Sequence, residues 1–233
     1  MKRLANNIVT GLLDVFYPQL CAGCGRSLTK QEGVLCMHCL LEMPTTNFNH
    51  IHDNILYQKI SGRTLIQHAA AYAYFSKDGM LQHLIHQFKY QQQKKIGTLL
   101  GELFANEISD LRWVKQTDVL VPIPLHRQKF RKRGFNQSHI IATAMGTTLH
   151  KPVAGNALIR IINNPSQTNK SRSERLGNVK DIFAIEQVNA LKGKNVLLVD
   201  DILTTGATME TCSNLLRSVA ASVSIAVLGI ATG

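Results

Sequence analysis

What this 233-residue chain lacks narrows its class first. It has no run of 18 apolar residues, so no segment is long enough to span a bilayer as a helix. Near the N-terminus Lys2 and Arg3 precede a mild apolar stretch, but Asn6, Asn7 and Asp14 interrupt it and no small-residue cleavage site follows. A signal peptide is therefore not expected, and a cytoplasmic location is. Cysteine is scarce outside one cluster: of five, four fall within residues 21–39. Without an export signal, that clustering points to a metal site and not to a disulfide framework. Acidic residues are also few, 15 Asp and Glu against 26 Lys and Arg, leaving a net charge of +11 and a pI near 9.6. Such a balance favours anionic partners (polyphosphates, phosphosugars or nucleic acid) without choosing among them. No internal repeat or low-complexity tract is present, and at about 150 residues per domain the length allows one or two units.

Residues 196–208 organise the rest. Val196, Leu197, Leu198 and Val199 form an unbroken β-rich apolar run, as expected of a strand covered on both faces in a mostly parallel sheet. Asp200 and Asp201 follow. Two unpaired carboxylates are too costly to bury, so they are expected at the strand's carboxyl end, facing a ligand. Thr204, Thr205, Gly206, Ala207 and Thr208 then offer hydroxyls and an unencumbered backbone. Met209, Cys212, Leu215, Leu216 and Val219 recur at helical spacing, which puts this turn at a helix N-terminus, where free N–H groups and the dipole favour an anion. Carboxylates accept hydrogen bonds and repel phosphate, so one ligand must offer hydroxyls to the acids and a phosphate to the turn. A ribose 5-phosphate has both. No Lys follows Gly206, as a Walker loop requires, and the acids precede the turn where a dinucleotide fingerprint places its acid downstream. The remaining alternative is an ordinary strand-to-helix turn capped by Asp and Thr. Strand, Asp-Asp and Thr-Thr-Gly-Ala-Thr together resemble the PRPP-binding motif of type I phosphoribosyltransferases. In that family the acids hold the ribose hydroxyls and the loop holds the 5′-phosphate.

Ahead of this stretch, residues 1–20 are expected to form a short amphipathic helix ended by Pro18. Cys21, Cys24, Cys36 and Cys39 make two C-x-x-C pairs separated by eleven residues, the spacing of a zinc ribbon or knuckle with all four positions filled, hence structural. His38 between the last two could replace one thiolate but is read as a bystander. Residues 44–62 are polar and poorly periodic, a linker that divides the chain into an N-terminal zinc module (residues 1–62) and a second domain (residues 63–233). A strand is expected at residues 67–75, a helix from Ser76 or Asp78 bearing Met80, Leu81, Leu84, Ile85 and Phe88, and another helix over residues 97–108. His83 and His86 are read as solvated. A strand over residues 118–124 leads into a basic loop, residues 126–134, with Arg127, Lys129, Arg131, Lys132 and Arg133, and then a helix from about Asn136. That loop shares the sheet's carboxyl edge with Asp200, which suits a pyrophosphate bound beside ribose. Residues 163–180, polar and carrying Arg172 and Arg175, are read as a loop able to close over an anionic ligand or as an exposed linker. Strands at residues 181–185 and 223–230 complete the pattern.

Taken together, these blocks resemble the ComF family of bacterial proteins. They are the four cysteines; Lys89 and Tyr90; Val121 to Pro124; Arg133 to Gln137; Thr168, Arg175, Asn178 and Phe183; and the acid pair with its threonine turn. The resemblance covers nearly the whole length. It implies an α/β fold, a mostly parallel twisted sheet flanked by helices with a small N-terminal zinc ribbon or knuckle. It further implies that residues 125–136 are the pyrophosphate loop and residues 163–180 the flexible loop. Activity, if present, would be displacement of pyrophosphate from PRPP with Mg²⁺, using Asp200, Asp201, Arg127, Arg131, Arg133, Arg172 and Arg175. Family members are associated with DNA uptake in natural transformation. The alternative is a non-catalytic module that binds single-stranded DNA or a competence-machinery protein on the same scaffold. Its aromatic interleaving is poor, with only Phe130 and Phe135 near the basic loop.

Overall fold

The computed structural model describes residues 18–161 and 182–231. The helix expected over residues 1–20 lies almost wholly outside them. At its end, Leu20 is not helical but pairs in an antiparallel bridge with Ser27. The loop read over residues 163–180 also lies outside them.

The chain forms two compact units, Met1–Pro44 and Thr45–Gly233. In the first, the short helix α1 (Met37–Leu41) begins between the two cysteines of the second pair, and the buried apolar residues among those described are Cys21, Leu35, Cys36, Cys39 and Met43.

The second unit is built on four strands: β1 (Ala69–Phe75), β2 (Val119–Pro122), β5 (Asn195–Leu203) and β6 (Ser222–Ala231). They lie in the order β1-β6-β5-β2, all parallel. Leu198 of β5 faces Ile225 of β6 on one side and Val121 of β2 on the other. Residues 196–199 are buried, as the unbroken apolar run requires of an inner strand with both faces covered. On one face pack α2 (Ile55–Ser61), α9 (Ala207–Leu216) and a two-stranded antiparallel ribbon, β3 (Leu158–Arg160) with β4 (Phe183–Ile185). A single turn of helix, α8 (Val188–Leu191), carries Leu191 into the same core. Against the sheet's other side lie α3 (Met80–Tyr90), α4 (Lys94–Ile108) and α7 (Gln137–Leu149), with the short α5 (Arg112–Lys115) leading into β2. His83 and His86 are exposed on α3, as read from the sequence.

Two expectations require correction. Residues 45–62 are no linker, and the compact units divide after Pro44, not after residue 62. Thr46 Oγ1 donates to the Ala71 carbonyl, Asn49 Oδ1 accepts from the Ala71 N–H, and Asn54 Nδ2 donates to the Ala69 carbonyl, so polar side chains tie the segment to β1. Leu56 and Ile60 of α2 are fully buried beneath the sheet. The basic segment after β2 is likewise not a loop but a helix, α6 (Arg127–Arg133). His126 caps it by accepting from the Gln128 N–H, and Gly134 ends it at φ +78°.

Candidate ligand crevice and cysteine cluster

Both acids lie within β5, which runs on to Leu203 instead of ending before them. Successive side chains of a strand leave on opposite faces, so the two carboxylates have different partners. Asp201 is buried and its Oδ2 is ion-paired with Nζ of Lys89, the penultimate residue of α3. Its Oδ1 accepts from the Ile202 N–H at 2.7 Å. Asp200 is less enclosed; its Oδ1 accepts from Ser138 Oγ at 2.7 Å and from the Asp201 N–H at 2.8 Å. Burial, and after it the charge of Asp201, pushes the Asp200 carboxyl up to about 7, against the opposing pull of Ser138 and Lys89.

Directly after the acids, residues 204–208 bend around an open hollow that Asp200, Ile202, Leu203 and Met209 also line. Gly206 is the N-cap of α9 at φ +82°, and a Cβ there would come within 2.7 Å of Ile60 Cδ1. Conformation and close approach therefore both require glycine at that position. Thr204, Thr205, Ala207 and Thr208 are exposed at the rim, next to the open first turn of α9. The carboxylate, the hydroxyls and the helix N-terminus thus share one concavity, at the carboxyl ends of the parallel strands where an open α/β sheet binds its ligand.

The basic segment arrives on the adjacent strand, since β2 pairs with β5. Arg127 and Arg131 are exposed on α6 and do not line the hollow. Arg133 is buried, with its guanidinium 5.2 Å from the Tyr90 ring and Nη2 3.4 Å from the Tyr90 hydroxyl. Phe135 stacks on Phe88 at 5.5 Å, and Asn136 caps α7 while its Nδ2 donates to the Ile123 carbonyl at the end of β2. Arg133, Phe135 and Asn136 therefore tie the α6–α7 junction to α3 and to the end of β2. Arg172 and Arg175 lie outside the described residues.

The cysteines converge as their spacing requires. The four Sγ atoms of Cys21, Cys24, Cys36 and Cys39 lie within 4.8 Å of one another. Cys24 Sγ and Cys36 Sγ are 3.7 Å apart, close to the ~3.8 Å edge of a tetrahedron with ~2.3 Å metal–sulfur bonds. Backbone N–H groups of Gly23 and Cys36 point at Cys21 Sγ, at 3.4 and 3.2 Å. A Cβ on Gly23 would lie 2.8 Å from Cys39 Sγ, so the knuckle needs glycine there too. The set fits a metal ion such as zinc. His38 is not part of the group. Cys212, the fifth cysteine, is buried behind the crevice, and burial raises its thiol far above the usual range.

Comparison with known proteins bears on the whole chain. The phosphoribosyl transferase domain family matches residues 128–230. The DNA utilization protein YhgH of Escherichia coli K12 is 30% identical over 210 residues, covering 88% of this chain and 88% of that protein. The chain belongs to the ComF family. Competence protein ComFC of Bacillus subtilis strain 168 is 29% identical over 216 residues, 88% of this chain and 82% of its own length. Among solved structures, the glutamine PRPP amidotransferase of B. subtilis, complexed with ADP and GMP, aligns over 61% of this chain and 30% of its own, at 16% identity and a TM-score of 0.44. Both the parallel sheet and the cysteine cluster are those expected of a ComF protein. Among the described residues no helix is long and apolar enough to cross a membrane.

Three side chains at the crevice of this ComF protein escaped the sequence reading. Lys89 stands out in the sequence only as half of a family motif, yet it neutralises Asp201. Ser138 follows the Asn136 cap, a position that could have drawn attention, and it holds Asp200. Arg63 falls just after the supposed linker, and its Nη1 donates to the Thr205 carbonyl at 2.6 Å.

Proposed function

We propose that this protein binds PRPP and transfers its phosphoribosyl group to an acceptor, releasing pyrophosphate, with a link to DNA uptake. The observation that carries the reading is the sharing of one hollow by the Asp200 carboxylate and the open turn of residues 204–208. A ribose fits the first through its vicinal hydroxyls and a 5′-phosphate fits the second. In the reaction the bond from C1 to the pyrophosphate oxygen breaks and the acceptor's nucleophile bonds to C1, through a ring carrying positive charge. The chain's contribution is positioning and charge. Asp200, fixed by Ser138, orients the ribose, and Asp201, paired with Lys89 on the strand's other face, holds the end of β5 that carries Asp200. Arg127 and Arg131 on α6, joined by Arg172 and Arg175, attract the leaving group, while Arg133 anchors α6 through Tyr90. Mg²⁺, a hard cation suited to carboxylate and phosphate oxygens such as these, supplies further neutralisation of the pyrophosphate when bound. In the N-terminal unit the four cysteines hold a structural Zn²⁺. The link to DNA uptake rests on the relatives, which are named for competence and DNA utilization.

One observation favours a second reading, a non-catalytic binder of single-stranded DNA or of a competence partner. The surface of α6 presents Arg127, Lys129, Arg131 and Lys132 around Phe130, which is 48% exposed. Calorimetric titration of the zinc-loaded protein separates the two. PRPP with Mg²⁺ is expected to bind more tightly than ribose 5-phosphate or AMP, and to lose affinity without Mg²⁺. Absence of any phosphosugar binding, with single-stranded DNA binding that falls steeply with salt, would replace the first reading by the second.

A further inference from the structure

We infer that Arg63 binds the phosphomonoester end of the ligand and supplies a cation to the threonine turn. The inference rests on the reading of the crevice as a phosphoribosyl site. Among the described residues the hollow around residues 204–208 is lined by no Lys, Arg or His, and it contains an acid, Asp200. A phosphate dianion there meets hydroxyls, backbone N–H groups and a helix N-terminus, but its charge is opposed by the neighbouring carboxylate. Arg63 reaches the turn from outside, with Nη1 donating to the Thr205 carbonyl at 2.6 Å. The same nitrogen lies 4.0 Å from the point where a Cβ on Gly206 would sit. A guanidinium has five N–H donors in a planar fork, and this bond uses one. Arg63 is exposed, and among the described residues the Thr205 carbonyl is the one hydrogen-bond partner of its fork, which leaves its other N–H groups directed at the rim.

Its neighbours make the placement part of the fold. Ile60 packs under Gly206, and Thr64 Oγ1 donates to Asn214 Oδ1 on α9 at 2.7 Å. The end of α2 and the residues after it therefore form the outer wall of the turn, with Arg63 at its top. By holding the Thr205 carbonyl, Arg63 also occupies a backbone acceptor that would repel a phosphate.

The test compares Arg63→Gln, Arg63→Lys and the unaltered zinc-loaded protein, titrated with ribose 5-phosphate, PRPP plus Mg²⁺, and inorganic pyrophosphate. Gln keeps a donor for the Thr205 carbonyl and removes the charge; Lys keeps the charge. Arg63→Gln is expected to weaken ribose 5-phosphate and PRPP by about tenfold, the scale of one charge-assisted hydrogen bond, and to leave pyrophosphate affinity unchanged. Arg63→Lys should recover part of that loss. Unfolding midpoints measured beside the titrations establish that each variant is folded. Unaltered phosphosugar affinity in folded Arg63→Gln, or an equal loss for pyrophosphate, would overturn the inference while leaving the crevice assignment intact. If the unaltered protein binds no phosphosugar, the crevice assignment fails and takes this inference with it.

Discussion

Replacing Asp200 and Asp201 together by Asn is expected to weaken PRPP binding by at least about a hundredfold while leaving the sheet folded. The Asp200 carboxylate lines the hollow, and each hydrogen bond it accepts from the two vicinal ribose hydroxyls contributes about 1.5–3 kcal/mol as a bond to a charged group. The single variants should differ in stability. Asp201 and Lys89 form an ion pair whose side chains are only 7% and 18% exposed, so Asp201→Asn leaves a largely buried ammonium without its partner. A cost of about 3 kcal/mol is expected, relieved when Lys89→Gln is added. Asp200→Asn keeps an acceptor for Ser138 and removes a carboxylate whose ionisation the fold disfavours, so at neutral pH it should unfold no earlier than the unaltered protein. Acidity adds a signed consequence. The Asp200 carboxyl is held up near 7 by burial and by Asp201, so as pH falls through that value it becomes neutral and PRPP affinity should fall. Stability of the free protein should run the other way. The native state holds this proton more tightly than the unfolded chain, so the stabilisation is complete below about pH 4 and lost as pH rises through about 7. Calorimetric titration and chemical unfolding at several pH values measure both. PRPP affinity unchanged in a folded double variant would remove the ribose assignment.

The N-terminal unit should depend on its metal far more than the sheet does on any one residue. Three of the buried apolar residues in that unit, Cys21, Cys36 and Cys39, are cysteines, leaving Leu35 and Met43 as the remaining apolar core among its described residues. So small a unit cannot repay its chain entropy from apolar burial alone, and metal binding supplies its folding free energy. Cys36→Ser, or Cys21→Ser, should reduce bound zinc from one per chain to near none and make Met1–Pro44 sensitive to protease. Thr45–Gly233 should keep its unfolding transition, because its core contains none of these residues. Metal analysis alongside limited proteolysis reads both effects. One zinc per chain retained in either variant would sink the assignment.

How much of this was legible in the sequence depended on whether the signal was local. The inner strand β5 announces itself through four consecutive β-rich apolar residues, and the turn after it through threonines and a glycine in the order a helix N-terminus needs. The cysteine pairs are equally local, since each is one tight turn. By contrast, Ser138 meets Asp200 across 62 positions and Arg63 meets Thr205 across 142, contacts that exist only because a parallel sheet brings separate crossovers to one edge. No periodicity contains them. Residues 45–62 looked like a linker because α2 is under two full turns long and the rest of the segment is fastened to β1 by Thr46, Asn49 and Asn54, polar residues that read as surface. The helix α6 was hidden for a related reason: Phe130 is its one apolar residue, and its ends are set by His126 and Gly134, not by an amphipathic stripe.

The central claim, that the crevice at the ends of β2 and β5 is a phosphoribosyl site, is tested most directly by a crystal structure of the protein with PRPP and Mg²⁺. The expected result is ribose hydroxyls within hydrogen-bond distance of Asp200, the 5′-phosphate on residues 204–208 beside Arg63, and the pyrophosphate toward α6. PRPP bound outside this hollow, or reversed with its pyrophosphate on the threonine turn, would contradict it.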